Sequence, residues 1–228
     1  MLISYCIPCM NRTYDLKKTL PLTIQAANES PPVEIVVLDY NSQDDLAEYM
    51  IGVEGSNLIG GNLLTYKKYT GREYYHMAHA QNLSMLAGAG EYLVNAAADL
   101  VLASNFFSVI REMLAPGDIV WMDSKRYGWP VIRKDEFIDA GGFDERLEFY
   151  GKCDRDIIAR LHRRGGKHVP YPASIMTTIP TDRKARYINY SMESAHGMKV
   201  LNKLVYEENM KKGALVANDE GWGSWDGV

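Results

Sequence analysis

The 228-residue chain predicts an α/β protein whose first hundred residues form a doubly wound half, strands alternating with helices. Three observations carry that reading. Apolar runs of strand length alternate with segments of helical spacing through the first hundred residues. One of those runs, VEIVVLDY at 33–40, is apolar almost throughout, as suits a strand buried on both faces of a parallel sheet. Polar residues also gather where strands end, at Pro8 to Arg12, Asp39 to Ser42 and Asn95 to Asp99. On such sheets ligands collect at the carboxyl ends of the strands.

The elements follow in order. LISYCI at 2–7 is rich in strand formers and is halted by Pro8. Residues 13–28 carry Leu16, Leu20 and Ile24 at helical spacing, with Thr13 as N-cap. VEIVVLDY is the second strand, AEYMIGV at 47–53 a second helix, and NLLTYKKY at 62–69 a third strand. HMAHAQNLSMLAGAG at 76–90 reads as a helix closed by Gly88 and Gly90. EYLVNAAADLVL at 91–102 is the next strand, and it holds one acid beyond its small-residue run, Asp99. NFFSVIREML at 105–114 is a helix and GDIVWMD at 117–123 a strand. From Asp154 to Arg164, Ile157, Ile158 and Leu161 share one helical face, and Gly165 and Gly166 end the helix. Asp154 and Asp156 fall in its first turn, where the helix dipole favours negative charge; capping alone accounts for Asp156.

Composition narrows the function. Hydrophobic residues make up 46% and charged residues 24%, enough for a full core and against disorder. A net charge of -4 and a pI near 5.8 argue against nucleic acid as a partner. The basic runs Arg160 to Lys167 and Arg183 to Arg186 read as solvated surface. No apolar run approaches the roughly 20 residues that span a bilayer. The opening MLISYCIPCM lacks a basic leader and reads as a strand, not a signal peptide. Three cysteines, Cys6, Cys9 and Cys153, make an odd count, for which a reducing cytoplasm is the simplest location. Cys6 and Cys9 have zinc-like spacing without a second pair, so core packing is expected of them. The glycine-rich phosphate loops of dehydrogenases and P-loop enzymes are absent.

Four stretches, in order and spacing over residues 2–165, resemble one family. ISYCIPCMNR resembles an opening strand followed by Pro-x-x-Asn-Arg. VVLDYNSQDD resembles a strand followed by Asp-x-x-Ser-x-Asp-Asp. AHAQNLSMLAGAGEYLVNAAADLVL resembles an Ala-Arg-Asn-x-Gly helix and the strand that carries Asp-x-Asp. GGFDERLEFYGKCDRDIIARL resembles Gly-Gly-Phe-Asp-Glu, then Gly-x-Glu-Asp-x-Asp and a helix. The family is that of the GT-A fold glycosyltransferases, of the inverting family 2 type and its galactosyltransferase-like relatives.

The resemblance implies a single GT-A domain over 1–215, a mixed, mostly parallel sheet flanked by helices, with a nucleotide-binding half (1–104) and an acceptor and catalytic half (105–215); by its polarity 216–228 reads as a C-terminal tail, loose over NDEGWGSWDGV. It implies a nucleotide-sugar donor, a UDP-sugar by the family's commonest usage, and a glycan acceptor. Pro8, Asn11, Arg12, Asp39, Asn41, Ser42, Asn82 and Asp99 would face the donor. Asp39 would meet the base, with Asn41 and Ser42 near base or ribose. Tyr150 would stack on the acceptor sugar, Gly141 and Gly142 would let backbone approach the donor sugar, with Gly142 also on the acceptor side, and Asp154 would be the catalytic base. Proton removal from an attacking hydroxyl needs such a carboxylate within hydrogen-bond reach.

Departures accompany the match. The first acid of Asp-x-Asp is Ala97, so Asp99 alone remains for a divalent cation, Mn2+ or Mg2+, which prefers hard oxygen ligands. Where relatives carry a metal-binding histidine, this chain has Thr177 and Thr178; His168 and His196 read as ordinary surface residues. The Glu before the base is Cys153, and the Arg before Asn82 is Gln81. Three outcomes stay open. Asp99 suffices with phosphate oxygens and water, or protein cations such as Lys125, Arg126 and Arg133 replace the metal, or Ala97 disables the enzyme. The competing readings are a degenerate protein that binds nucleotide or glycan without turnover, and a nucleotidyltransferase, against which the missing glycine-rich loop argues.

Overall fold

A computed structural model of the chain describes residues 1–53, 61–115, 118–122, 128–180 and 187–225. Three parallel strands form the first half of the main sheet: β1 (Ile3–Cys9), β2 (Val33–Tyr40) and β3 (Leu63–Tyr69). β4 (Tyr92–Asn95) adds to the other side of β1, also parallel. Then come β7 (Val131–Arg133), β6 (Asp118–Met122) and β8 (Lys167–Tyr171), giving the order β3-β2-β1-β4-β7-β6-β8. β7 runs antiparallel to both its neighbours, so the sheet is mixed and mostly parallel. Every residue of β1 and β2 is buried, as their mostly apolar sequence requires, and the buried Glu34 carboxylate accepts from the Ser4 hydroxyl.

Helices cover both faces. α1 (Thr13–Glu29) and α4 (Phe106–Met113) flank the sheet, and α2 (Leu46–Val53) follows β2. α3 (Met77–Ala87) packs on β1 and β2. α5 (Lys134–Asp139), α6 (Cys153–Arg163) and α7 (Ala195–Lys212) belong to the second half. A separate ribbon pairs β5 (Leu100–Leu102) with β9 (Met176–Thr178). Cys6, Cys9 and Cys153 are buried and unpaired, and all three lie in the main core. Among the described residues no helix is long and apolar enough to cross a membrane.

Five expectations are corrected. β1 does not stop before Pro8 but runs through it to Cys9. The carbonyl of Cys6 accepts from the amide of Ala96, the last rung toward β4. Pro8, two residues on, points the same way but past the end of β4, where no amide is needed. Thr13 is not the N-cap of α1; its own amide donates to Asp44 Oδ2 at 2.9 Å, so a carboxylate from the neighbouring loop caps the helix. The stretch 91–102 is two strands, broken by a turn in which the Leu100 amide donates to the Ala97 carbonyl.

The fourth correction concerns charge. Arg160 is fully buried, not solvated, and Asp156 is its ion-pair partner, not a simple cap. Arg160 Nε donates to Asp156 Oδ2 at 2.9 Å, and its other nitrogens donate to the carbonyls of Ala140 and Gly142. Asn209 of α7 donates to the second Asp156 oxygen and to Asp144. Every charge in this cluster has a partner, as burial demands. Arg183 to Arg186 lie outside the described residues. The fifth concerns the C-terminal segment, which is packed, not loose, as far as residue 225. The Ala217 amide donates to Ala140, Asn218 bonds three backbone groups of 141–145, Gly223 donates to Glu145, and Trp222 lies edge-on to Phe137.

Candidate functional site

The carboxyl ends of β1 and β4, with the turn that leads into β5, converge with the start of α6 on one cleft of about 670 Å³, a size that suits a small ligand. Pro8, Met10 and Arg12 come from the end of β1, and Ala97, Ala98 and Asp99 from the turn after β4. Tyr150, Lys152, Asp154 and Arg155 come from the entry to α6. Thr178, from β9, stands beside Asp99 because Leu100 pairs with it across the ribbon.

Asp154 carries the strongest chemical signature. Its half-buried carboxyl lines the cleft, and Asn95 Nδ2 donates to its Oδ1 at 3.1 Å. Burial pushes this carboxyl up to about 6, against the opposing pull of the Asn95 bond and of a backbone hydrogen bond in the helix's first turn. A carboxylate tuned that way is poised to take a proton near neutral pH. Asn95 is the site residue that sequence reasoning missed as a partner; its position at the carboxyl end of β4 is the signal that could have found it.

Arg12 and Asp99 line the same cleft. Arg12 Nε donates to Asp15 at 2.5 Å, and its terminal nitrogen lies 3.4 Å from Asp99 Oδ2. Burial opposes the guanidinium charge, but the bond and charge of Asp15, with Asp99 behind them, more than offset it. Ala97 lines the cleft with them. Among the described residues no group of three His, Cys, Asp or Glu side chains could hold a metal ion. One carboxylate beside a guanidinium and a threonine hydroxyl is a poor donor set for a divalent cation. The described residues therefore do not fit the expected resident metal. Lys125 and Arg126 lie outside the described residues. Arg133 pairs with Tyr92 at the opposite end of β4 and is held by Asp135 and Glu136, so it does not reach the cleft.

The remaining expected donor residues support the cleft without lining it. Asn11 and Asn41 both adopt left-handed backbone, φ +53° and +55°, which asparagine tolerates. Asn11 accepts from the Gln43 amide, and its own amide donates to Ser42, so the ends of β1 and β2 are latched together. Asp39 is buried beneath this latch, accepting from the Ser42 amide at 2.7 Å and from Tyr66 at 2.8 Å. Asn11 also donates to Asn189, which lines the cleft beside Tyr75 and Tyr190.

Asn82 and Gly142 lie elsewhere. Asn82 is fully buried; it donates to Phe143 O and Glu145 and accepts from the Phe143 amide, so it clamps α3 to the 141–145 turn. Gly142 sits at φ +64°, and a Cβ there would stand 2.4 Å from Trp222 and 2.6 Å from Asn82 Oδ1. Its lack of a side chain serves packing against the C-terminal segment. Cys153 points into the core, 3.7 Å from the Leu147 carbonyl, and does not line the cleft. Tyr150 does, with its ring edge-on to Tyr187 at 5.3 Å.

No protein-family model and no curated protein sequence matches the chain. Solved structures do. A mannosyltransferase, PcManGT from Pyrobaculum calidifontis in complex with GDP-Man and Mn2+, is 16% identical with a TM-score of 0.66, over 93% of this chain and 71% of that one. S. aureus TarS in complex with UDP-GlcNAc is 11% identical with a TM-score of 0.62, over 92% and 73%. The catalytic domain of Drosophila beta1,4-galactosyltransferase 7 with xylobiose is 13% identical with a TM-score of 0.60, over 89% and 79%. Another complex of that galactosyltransferase holds manganese, UDP-Gal and xylobiose. These likenesses establish that the chain has the GT-A fold.

Proposed function

We propose that this GT-A protein transfers a sugar from a nucleotide-sugar donor to a hydroxyl of a glycan acceptor, with Asp154 as the general base. The observation that carries the proposal is Asp154 itself: a carboxyl pushed up to about 6, aimed into the cleft and held by Asn95. The donors bound by the fold's solved neighbours, GDP-Man, UDP-GlcNAc and UDP-Gal, support a nucleotide-sugar as the partner, with a UDP-sugar as our first choice.

In the proposed step the acceptor oxygen attacks the anomeric carbon. The bond from that carbon to the diphosphate oxygen breaks, and its electron pair leaves with the nucleoside diphosphate. The hydroxyl proton passes to Asp154. The other described acid lining the cleft, Asp99, is engaged by Arg12, so one carboxylate is available for chemistry. A single base and direct displacement invert the anomeric configuration. Tyr150, three residues before helix α6, offers a ring on which an acceptor sugar stacks. The buried, unpaired thiols support a reducing, cytoplasmic setting.

The degenerate alternative, binding without turnover, is favoured by Ala97. One assay separates the two readings. The protein is incubated with a panel of UDP- and GDP-sugars and oligosaccharide acceptors, and product is examined by proton NMR. A product inverted relative to the donor supports the proposal. Retained configuration overturns the direct displacement, and nucleotide binding without any product establishes the degenerate reading.

A further inference from the structure

We infer that Arg12, docked on Asp99 and Asp15, supplies the positive charge that a divalent cation gives the diphosphate in other proteins of this fold, so that donor binding is independent of metal. The inference rests on the transferase reading above and concerns how its donor is held.

Three observations meet at one wall of the cleft. Where a second carboxylate would stand, Ala97 offers a methyl group, and the neighbouring strand adds to the cleft only Thr178, the partner of Leu100. That set lacks the hard, anionic oxygens a divalent cation selects. Asp99 instead lies 3.4 Å from the Arg12 guanidinium. A cation placed against Asp99 would also stand against Arg12 and be repelled by it. Lastly, Arg12 is mostly buried and held at its Nε by Asp15 at 2.5 Å, so it is fixed before any ligand arrives. A guanidinium is planar, always charged and matched to phosphate oxygens two at a time. Asp99 is then a positioning residue: it orients Arg12 and carries no metal.

Other cations at the cleft serve less well. The Lys152 ammonium leans over the Tyr206 ring at 4.9 Å, and Arg155, in the first turn of α6, is exposed. Among the described cations of the cleft, Arg12 combines a mostly buried side chain, fixed geometry and a place beside the turn that carries Ala97 and Asp99.

The test is calorimetric titration of UDP and of GDP into the full chain, once with EDTA and once with MnCl2, for wild type, Arg12→Gln and Asp99→Asn. The inference predicts that at least one nucleotide binds wild type equally with EDTA and with manganese. Arg12→Gln weakens that binding about ten- to a hundredfold, the loss of charge-assisted phosphate hydrogen bonds. Asp99→Asn leaves it indifferent to EDTA. Wild-type binding that vanishes in EDTA overturns the inference and leaves the transferase reading intact. EDTA-indifferent binding that survives in Arg12→Gln overturns the assignment to Arg12. Absence of nucleotide binding under both conditions overturns the inference and the donor reading together. The wild-type comparison needs no variant to fold.

Discussion

Replacing Asp154 by asparagine should inactivate the protein and, at neutral pH, stabilise it. In the fold the carboxyl titrates at about 6, against an ordinary value of 3.8. A tenfold change in proton affinity is worth about 1.4 kcal/mol, so ionised Asp154 costs about 2–3 kcal/mol of folding free energy once its partial contact with solvent is discounted. The sign follows from the direction in which burial moves the carboxyl. Below about pH 4 the carboxyl is neutral in both folded and unfolded chains and costs nothing. As pH rises from about 4 to 6 the unfolded chain ionises it freely while the fold resists, so stability falls, and above that window the cost is constant. Asparagine is neutral throughout, and its carbonyl oxygen still accepts from Asn95. For a chain of this length 1 kcal/mol moves Tm by roughly 2–4 °C, so Asp154→Asn should melt about 5–10 °C higher than wild type at pH 8 and level with it at pH 4. Scanning calorimetry at the two pH values reads the difference. Wild-type kcat/KM should rise with pH through about 6, because only ionised Asp154 takes a proton. A Tm difference equal at both pH values, or an activity limb near pH 4, would refute the burial argument.

Further outcomes follow from the same geometry. Asn95→Ala removes the bond that stabilises ionised Asp154, so the rising limb of the pH–rate profile should move to higher pH; an unmoved limb would remove Asn95 from the site. Arg160→Ala strands Asp156 and two carbonyls in the core and should cost about 3–5 kcal/mol in denaturant unfolding, well beyond a surface arginine. Asp39→Ala frees the Ser42 amide and the Tyr66 hydroxyl, loosening the β1–β2 latch; titration should show weaker nucleotide binding, and an unchanged Kd would place the base elsewhere. Tyr150→Ala should raise the acceptor KM more than the donor KM, and the reverse order would move Tyr150 to the donor side.

The strands and helices that build the donor side were legible because periodicity reports burial directly. VEIVVLDY is apolar at nearly every position because both faces of β2 are covered, and the structure starts and ends it within a residue of that run. The convergence of Pro8, Arg12, Asp99 and Asp154 on one cleft was legible through the strand-end rule and the family resemblance. What escaped were polar residues whose partners lie far along the chain. Arg160 sits in a basic run and has the pattern of a solvated face, yet its partners include carbonyls at 140 and 142 and, through Asp156, Asn209. Asn82 looked like a ligand residue but spends all three of its bonds on residues 143 and 145. The segment 217–225 is polar by composition, and its anchoring rests on Asn218, Trp222 and Gly223, which no local pattern links to the 141–145 turn. The break at Ala97 was hidden because alanine and valine extend a strand pattern whether or not a partner strand continues beside them.

The proposed sugar transfer in this cleft runs through Asp154. The measurement that bears on it most directly is mass-spectrometric detection of nucleoside diphosphate and glycosylated acceptor, from a panel of UDP- and GDP-sugars, for wild type and Asp154→Asn side by side. Product is expected from wild type with at least one donor, and loss of turnover in Asp154→Asn with nucleotide affinity unchanged within a few-fold. Equal turnover by both proteins would contradict it.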